Sequence, residues 1–170
     1  MIARIFFHLV NRDNPTAVKW LQNRFDTPAV SCLSMSDGAV QVEARKDGKQ
    51  KSLKWTSDDL LLRLQEDQSA SVGALAWTLC KFQDILDETN DMLHDYVKSQ
   101  IGLRLENVLF FVKGDYLMLR CSRQNCSGRQ KESTNVQVTQ ADDGRICVKI
   151  PLINSDLREL LFGRLRRKSL

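Results

Sequence analysis

Glycine and proline are scarce in this sequence: the 170 residues include eight glycines and three prolines. This scarcity excludes a collagen-like or low-complexity chain. The mean hydropathy is -0.33, and no apolar run approaches the roughly 18 residues of a membrane helix, so we predict no membrane span. Residues 1–10 are apolar, but Arg4 and His8 interrupt them and no small-residue cleavage site follows. We therefore expect residues 3–10 to form a strand rather than a signal peptide.

The sequence also lacks the motifs of several enzyme classes. It contains no glycine-rich phosphate loop, no GxSxG, no HExxH and no DxDxDG loop. Its two histidines are His8, in an apolar segment, and His94, among acidic residues. The carboxylate pairs are Asp58-Asp59, Asp87-Glu88 and Asp142-Asp143. Because their contexts predict a helix N-terminus, a solvated helix face and a hairpin turn, we expect no enzyme activity, no catalytic residue and no cofactor.

Cysteine is present in an odd number and without a CxxC motif. The five residues are Cys32, Cys80, Cys121, Cys126 and Cys147. Cys121 and Cys126 have four residues between them, but no His/Cys pair at ligand spacing accompanies them, so we expect no metal site. Reduced thiols that pack as small hydrophobic groups are the better interpretation, and they indicate an intracellular protein.

The length, with 42% hydrophobic and 27% charged residues, predicts a single soluble domain over residues 1–170. Hydrophobic periodicity predicts the element order β-α-β-β-β-α-α-β-β-β-β-α. Four Asp/Gly turns favour antiparallel hairpins over parallel crossovers. The predicted fold is therefore α+β: an antiparallel sheet or small β-sandwich with a helix-turn-helix insertion and a C-terminal helix.

The predicted helices cover residues 15–25, residues 56–68, one longer segment from Ser69 or Ser71 to Val97, and a last segment from Asn154 or Ser155. After the strand at 3–10, the predicted strands lie at 29–35, 40–45, 51–55, 108–112, 116–121, 136–138 and 146–150. Residues 122–133 are expected to form a polar, basic loop. In the longer helix, acidic residues between Asp84 and Asp95 are expected to face water as an acidic ridge.

Charge is distributed unevenly along the chain, whose net charge is +4. Residues 1–100 carry 12 Lys+Arg and 14 Asp+Glu, whereas residues 101–170 carry 13 and 7. Clustered cations suit phosphate neutralisation, although a merely solvated surface is the alternative for any one cluster. The candidate nucleic-acid-binding residues are Arg120, Arg123, Arg129 and Lys131 in the basic stretch 120–131, and Arg164, Arg166, Arg167 and Lys168 at the C-terminal end.

An apolar stripe on the last predicted helix is a candidate protein-binding seam. The stripe consists of Leu157, Leu160, Leu161 and Leu165, which recur at helical spacing in a short heptad-like pattern. We interpret these four leucines as partner-binding residues. A second copy of this chain is one such partner, which would give a homodimer.

The order of elements resembles the head domains of the XLF (non-homologous end-joining factor) family. The matching segments are 18–22 for the leading helix, 29–55 for the strands, 56–98 for the inserted helical pair, 108–123 for a hairpin and 151–165 for the outgoing helix. Two features depart from the family: a first strand at 3–10 and no long coiled coil after Leu165. The resemblance implies a dimeric, DNA-associated nuclear scaffold without catalytic activity.

We therefore predict a non-catalytic adaptor or scaffold that binds protein partners in DNA repair or chromosome-associated complexes. Its basic C-terminal half would contact DNA or RNA through charge. We expect it inside the cell, in the nucleus rather than the cytoplasm, and not at a membrane. Two alternatives remain: a small enzyme whose site forms only on assembly, and a stand-alone RNA- or DNA-binding domain.

Overall fold

A computed structural model describes residues 2–106 and 108–169, with side chains as far as Arg167. The helices are α1 Ile2–Asn11, α2 Pro15–Phe25, α3 Ser57–Glu66, α4 Ala70–Phe82, α5 Leu86–Ile101 and α6 Ser155–Ser169. The strands are β1 Val30–Ser36, β2 Ala39–Lys46, β3 Lys49–Thr56, β4 Leu103–Leu105, β5 Phe111–Lys113, β6 Tyr116–Cys121, β7 Cys126–Gly128, β8 Gln137–Gln140 and β9 Ile146–Pro151. The predicted α+β class is confirmed, with 46% helix and 29% strand.

The strands form three antiparallel groups. The first is a three-stranded sheet in the order β1-β2-β3, and the largest is a four-stranded sheet in the order β5-β6-β9-β8. The third is a short pair, β4 with β7. The sharp turns between β1 and β2 and between β2 and β3 place Asp37 and Asp47 at positive φ beside Gly38 and Gly48. These turns confirm the predicted hairpins.

The apolar side chains of all six helices join one connected cluster that extends from Ile2 to Leu165. An aromatic group lies at its N-terminal end, where the Phe6 and Trp20 ring centroids are 5.8 Å apart and those of Trp20 and Trp55 are 5.9 Å apart. The indole N–H of the fully buried Trp20 donates to the Asp67 carboxylate at 3.2 Å. α6 packs against α3, α4 and α5, so the last helix is part of the same core.

The predicted first strand was wrong, because residues 2–11 form helix α1. Ile2, Phe6 and Leu9 recur at steps of four and three and are buried, whereas Arg4 and His8 are exposed. This spacing is that of a helix face, and packing of that face outweighs the β propensity of the isoleucine and phenylalanine residues. The segment 3–10, which the sequence pattern set apart from the XLF family as a first strand, is thus part of a helix.

The predicted single helix from residue 69 to 97 was also wrong, because it is divided into α4 and α5. Asp84 takes a left-handed conformation, φ 60°, between them. Its N–H donates to the Lys81 carbonyl at 3.2 Å, and the Ile85 N–H donates to the Cys80 carbonyl at 3.1 Å. These are the two hydrogen bonds of a Schellman motif, which closes α4 before α5 begins.

Two predicted boundaries in the second half also need correction. The strand predicted at 108–112 is the shorter β5, Phe111–Lys113. The predicted loop at 122–133 contains a 3-10 turn, Arg123–Asn125, and strand β7, which pairs with β4. Strands of three residues give too short a pattern to be recognised by alternation. In addition, β7 pairs with β4, a strand that is distant in sequence.

Candidate nucleic-acid interface

The solvent-exposed side of the four-stranded sheet carries cations and aromatic rings from β5, β6, β9 and the turn before β9. Antiparallel register pairs Lys113 with Tyr116, Phe111 with Met118, and Met118 with Lys149. Paired residues project to the same side of a sheet. We call this surface the basic sheet face. It consists of Phe111, Lys113, Tyr116, Arg120, Arg145 and Lys149.

The opposite side of the same strands explains why these polar residues face outward. Leu117, Leu119, Val148 and Ile150 are completely buried in the core. Successive side chains of a strand alternate between its two faces. The residues next to these four along the strands therefore project from the outer face of the sheet. Met118, on the outer side, is nevertheless 4% exposed.

Two cations of the basic sheet face lie over aromatic rings. The Arg120 guanidinium carbon is 5.7 Å from the centre of the Phe111 ring, and the Lys149 ammonium nitrogen is 5.5 Å from the centre of the Tyr116 ring. Such cation–π contacts attract the charged groups to the ring faces. The arrangement brings positive charge and aromatic rings onto one surface, and these are the two kinds of group that contact phosphates and bases.

A shallow cavity of about 420 Å³ lies on the basic sheet face. Lys113, Arg120, Arg145 and Lys149 all line it, and Asp143 is the one carboxylate among its described lining residues. Asp143 is already paired, since its carboxylate lies 3.1 Å from Nε of Arg145. The cavity therefore has a surplus of positive charge and suits an anionic ligand.

The four predicted cations of the basic stretch 120–131 occupy different places. Arg120 lies on the basic sheet face. Arg123, Arg129 and Lys131 are exposed, but they belong to none of the four strands of that sheet. Lys131 is fixed through its backbone, whose N–H donates to the Ile101 carbonyl at the end of α5, at 2.8 Å.

The four cations predicted at the C-terminal end are also divided. Arg164 pairs with Glu88 of α5, and its side chain is 17% exposed, so this guanidinium belongs to a contact within the chain. Arg166 and Arg167 are exposed on α6. The side chain of Lys168 lies outside the described residues.

The structure does not support the predicted partner-binding seam on α6. Leu157, Leu161 and Leu165 are completely buried, and Leu160 is half-buried against the same cluster. The apolar stripe packs on α3, α4 and α5 of its own chain. Helical spacing revealed the stripe but could not identify what covers it.

The predicted acidic ridge is exposed and borders a cleft between α5 and residues 104–106 and 108–109. Asp87, Asp91 and Asp95 line this cleft together with His94. A ring nitrogen of His94, Nε2, lies 2.9 Å from the Val108 carbonyl oxygen, and the His94 ring packs against Phe110 with centroids 5.3 Å apart. His94 is thus a structural link across the cleft, whereas His8 is an exposed residue of α1.

Three cations of the basic sheet face were not predicted as site residues: Lys113, Arg145 and Lys149. The signal for two of them is in β9, where Ile146, Val148 and Ile150 predicted the buried face of the strand. The same period of two places Arg145 and Lys149 on the other face. The pattern does not predict that β9 pairs with β6. This pairing brings Arg145 and Lys149 close to Arg120.

Comparison with known proteins gave no match for this chain among family models, curated proteins or solved structures. The resemblance to the XLF head domains is therefore neither supported nor opposed by these comparisons. In the described part of the chain, no helix is long and apolar enough to cross a membrane.

Proposed function

We propose that this protein is a non-catalytic adaptor that binds nucleic acid through the basic sheet face. The observation that carries the proposal is the presence of four cations and two aromatic rings on one surface. The four cations and Tyr116 line a cavity there, and the one carboxylate among its described lining residues is paired with Arg145. Neutralised phosphates supply most of the affinity in such interfaces. Aromatic rings supply stacking surfaces for bases without requiring a particular sequence.

The adaptor role rests on the separation of charge between two surfaces. The acidic ridge of α5, with Asp87, Asp91 and Asp95 exposed, suits a basic protein partner, while the basic sheet face suits nucleic acid. Complementary charge would orient each partner. Together with the resemblance to XLF heads, this arrangement supports a nuclear scaffold in DNA repair or chromosome-associated complexes.

Fluorescence anisotropy with labelled duplex DNA and single-stranded RNA, measured over a series of salt concentrations, tests the proposal. The informative variant replaces Lys113, Arg120 and Lys149 with glutamine. Its matched control replaces Lys49, Lys51 and Lys54 of β3 with glutamine, because these lysines are also exposed on a strand and the net charge falls equally.

We expect the parent protein to bind with an affinity whose logarithm falls linearly with the logarithm of salt concentration. The triple variant of the basic sheet face should bind more weakly, with a salt slope smaller by about three, one for each lost phosphate contact. The β3 control should keep the parent slope. Equal losses in both variants, or a parent protein that binds neither nucleic acid at low salt, would contradict the proposed function.

A further inference from the structure

Two thiols lie in contact where the four-stranded sheet meets the short β4-β7 pair. Cys121 ends β6, Cys126 begins β7, and the 3-10 turn Arg123–Asn125 connects them. Their Sγ atoms are 3.2 Å apart. A disulfide bond is about 2.05 Å long, so the sulfurs need to approach by only about 1.2 Å.

The two thiols differ in access to solvent. Cys121 is 4% exposed, whereas Cys126 is partly exposed. Burial, together with the neighbouring Cys126 thiol, raises the pKa of Cys121 to about 12. An external oxidant therefore reacts first with Cys126, the more exposed thiol, and Cys121 lies in contact with Cys126 as the second thiol.

Cys147 is close in the sheet but cannot replace either partner. Register pairs Cys147 with Arg120, while Cys121 pairs with Ile146, so Cys147 and Cys121 project from opposite faces of the sheet. Cys32 and Cys80 are buried elsewhere in the core. Within the described residues, the geometry thus favours one partner for Cys126.

We propose that Cys121 and Cys126 are a redox site that forms a reversible intramolecular disulfide by exchange with a small disulfide such as oxidised glutathione. The Cys126 thiolate attacks one sulfur of glutathione disulfide, which forms a mixed disulfide and releases one glutathione thiolate. Cys121 then loses its proton and attacks Sγ of Cys126, which releases the second glutathione. In total the protein loses two protons and two electrons, and one glutathione disulfide becomes two glutathione molecules.

The disulfide would close a ring of six residues that includes the 3-10 turn, and it would covalently join the end of β6 to β7. Because β7 pairs with β4 directly after α5, the bond would tie the four-stranded sheet to the C-terminal end of that helix. The inference concerns these two thiols alone and does not depend on nucleic-acid binding.

The test equilibrates the full chain in glutathione buffers that range from fully reduced to mostly oxidised, followed by acid quenching, alkylation and mass spectrometry. Trypsin cleaves after Arg120, Arg123 and Arg129, so the disulfide would join peptide 121–123 to peptide 124–129. We expect this joined species to replace the two alkylated peptides as the buffer becomes oxidising, with an intact mass lower by two hydrogens before alkylation.

Two single variants make the result specific. Cys126→Ser should abolish the joined species, and Cys147→Ser, which removes a partly exposed thiol from the same sheet, should leave it unchanged. Far-UV circular dichroism checks that each variant is folded. The proposal is overturned if the parent protein remains fully alkylated in every buffer, if Cys126 accumulates only as its glutathione adduct, or if its disulfides join different chains.

Discussion

Successive residues of β9 alternate between two roles, because their side chains project to opposite faces of the sheet. Val148 is completely buried, and its neighbour Lys149 extends over the Tyr116 ring on the outer face. The buried residues provide the apolar stabilisation of the fold, and the residues between them provide the chemistry of the candidate site. The same alternation therefore supports both the core and the basic sheet face.

The start of α3 shows how a titratable side chain can stabilise a helix end. Thr56 and Asp59 form a capping box: the Asp59 N–H donates to the Thr56 hydroxyl at 3.1 Å, and the Thr56 N–H donates to the Asp59 carboxylate at 3.0 Å. The backbone N–H of Thr56, followed by its side chain, lowers the pKa of Asp59. The ionised carboxylate is thus favoured in the folded state.

We predict that this capping box makes stability depend on pH in the acid range. Because the pKa of Asp59 is lower when folded, its contribution is present above the unfolded pKa, about 4, and is lost as pH falls through the folded value. Asp59→Asn should lower the urea midpoint at neutral pH and have a smaller effect at the acid end. Asp58→Asn, one residue earlier and exposed, is the matched control. A deficit for Asp59→Asn that is constant with pH would contradict this account.

At the scale of elements, helix α4 approaches the segment after β9 at a glycine. A Cβ atom added to Gly73 would lie 2.6 Å from the carbonyl oxygen of Leu152 and 2.9 Å from its Cβ. Leu152 is completely buried, so little space exists for it to move. Absence of a side chain at residue 73 therefore permits the close packing of these two segments.

Substitution of two helical glycines tests this packing, and the two should change stability in opposite directions. Gly73→Ala should destabilise the protein by about 1–3 kcal/mol, because overpacking outweighs the better helix propensity of alanine. Gly163→Ala in α6 should stabilise it by up to about 1 kcal/mol, because an added Cβ meets no atom within 4 Å. Urea unfolding measures both. A Gly73→Ala protein as stable as Gly163→Ala would disprove the close approach.

Most elements could be predicted because their signals are local. Asn14 before Pro15 predicted the start of α2, and its side chain does accept hydrogen bonds from Thr16 and Ala17. The errors occurred where the local signal was misleading. The apolar residues of α1 fit a strand as well as a helix when only composition is considered. The residue that closes α4, Asp84, takes a left-handed conformation for which glycine is the usual signal.

The candidate site could be predicted only in part, because its residues come together through the pairing of strands and not through their order in the sequence. Arg120 was recognisable within a basic stretch of sequence. Lys149 stands alone between Val148 and Ile150, and Lys113 directly precedes the Gly114-Asp115 turn. Both lysines join Arg120 only when β5, β6 and β9 pair in register. Conversely, Arg164 looked like part of a basic end, but packing of α6 on α5 brings it to Glu88.

At the scale of the whole molecule, the continuous core predicts cooperative unfolding. The buried cluster includes Trp20, Trp55 and Trp77 from the first half and residues of β6, β9 and α6 from the second. Tryptophan fluorescence and far-UV circular dichroism should therefore give the same urea midpoint. Separate midpoints would show that the two halves unfold independently, which would contradict the predicted single domain.

The most direct test of the central claim locates bound nucleic acid on the protein by NMR. Backbone amide spectra are recorded while an oligonucleotide of about ten nucleotides is added to the isotope-labelled chain. We predict that the shifted amides cluster on β5, β6 and β9, around Lys113, Arg120 and Lys149, and that β3 with its exposed lysines stays unchanged. Shifts concentrated on β3 or on the C-terminal end of α6, with β5, β6 and β9 unaffected, would contradict the assignment of the basic sheet face as the nucleic-acid interface.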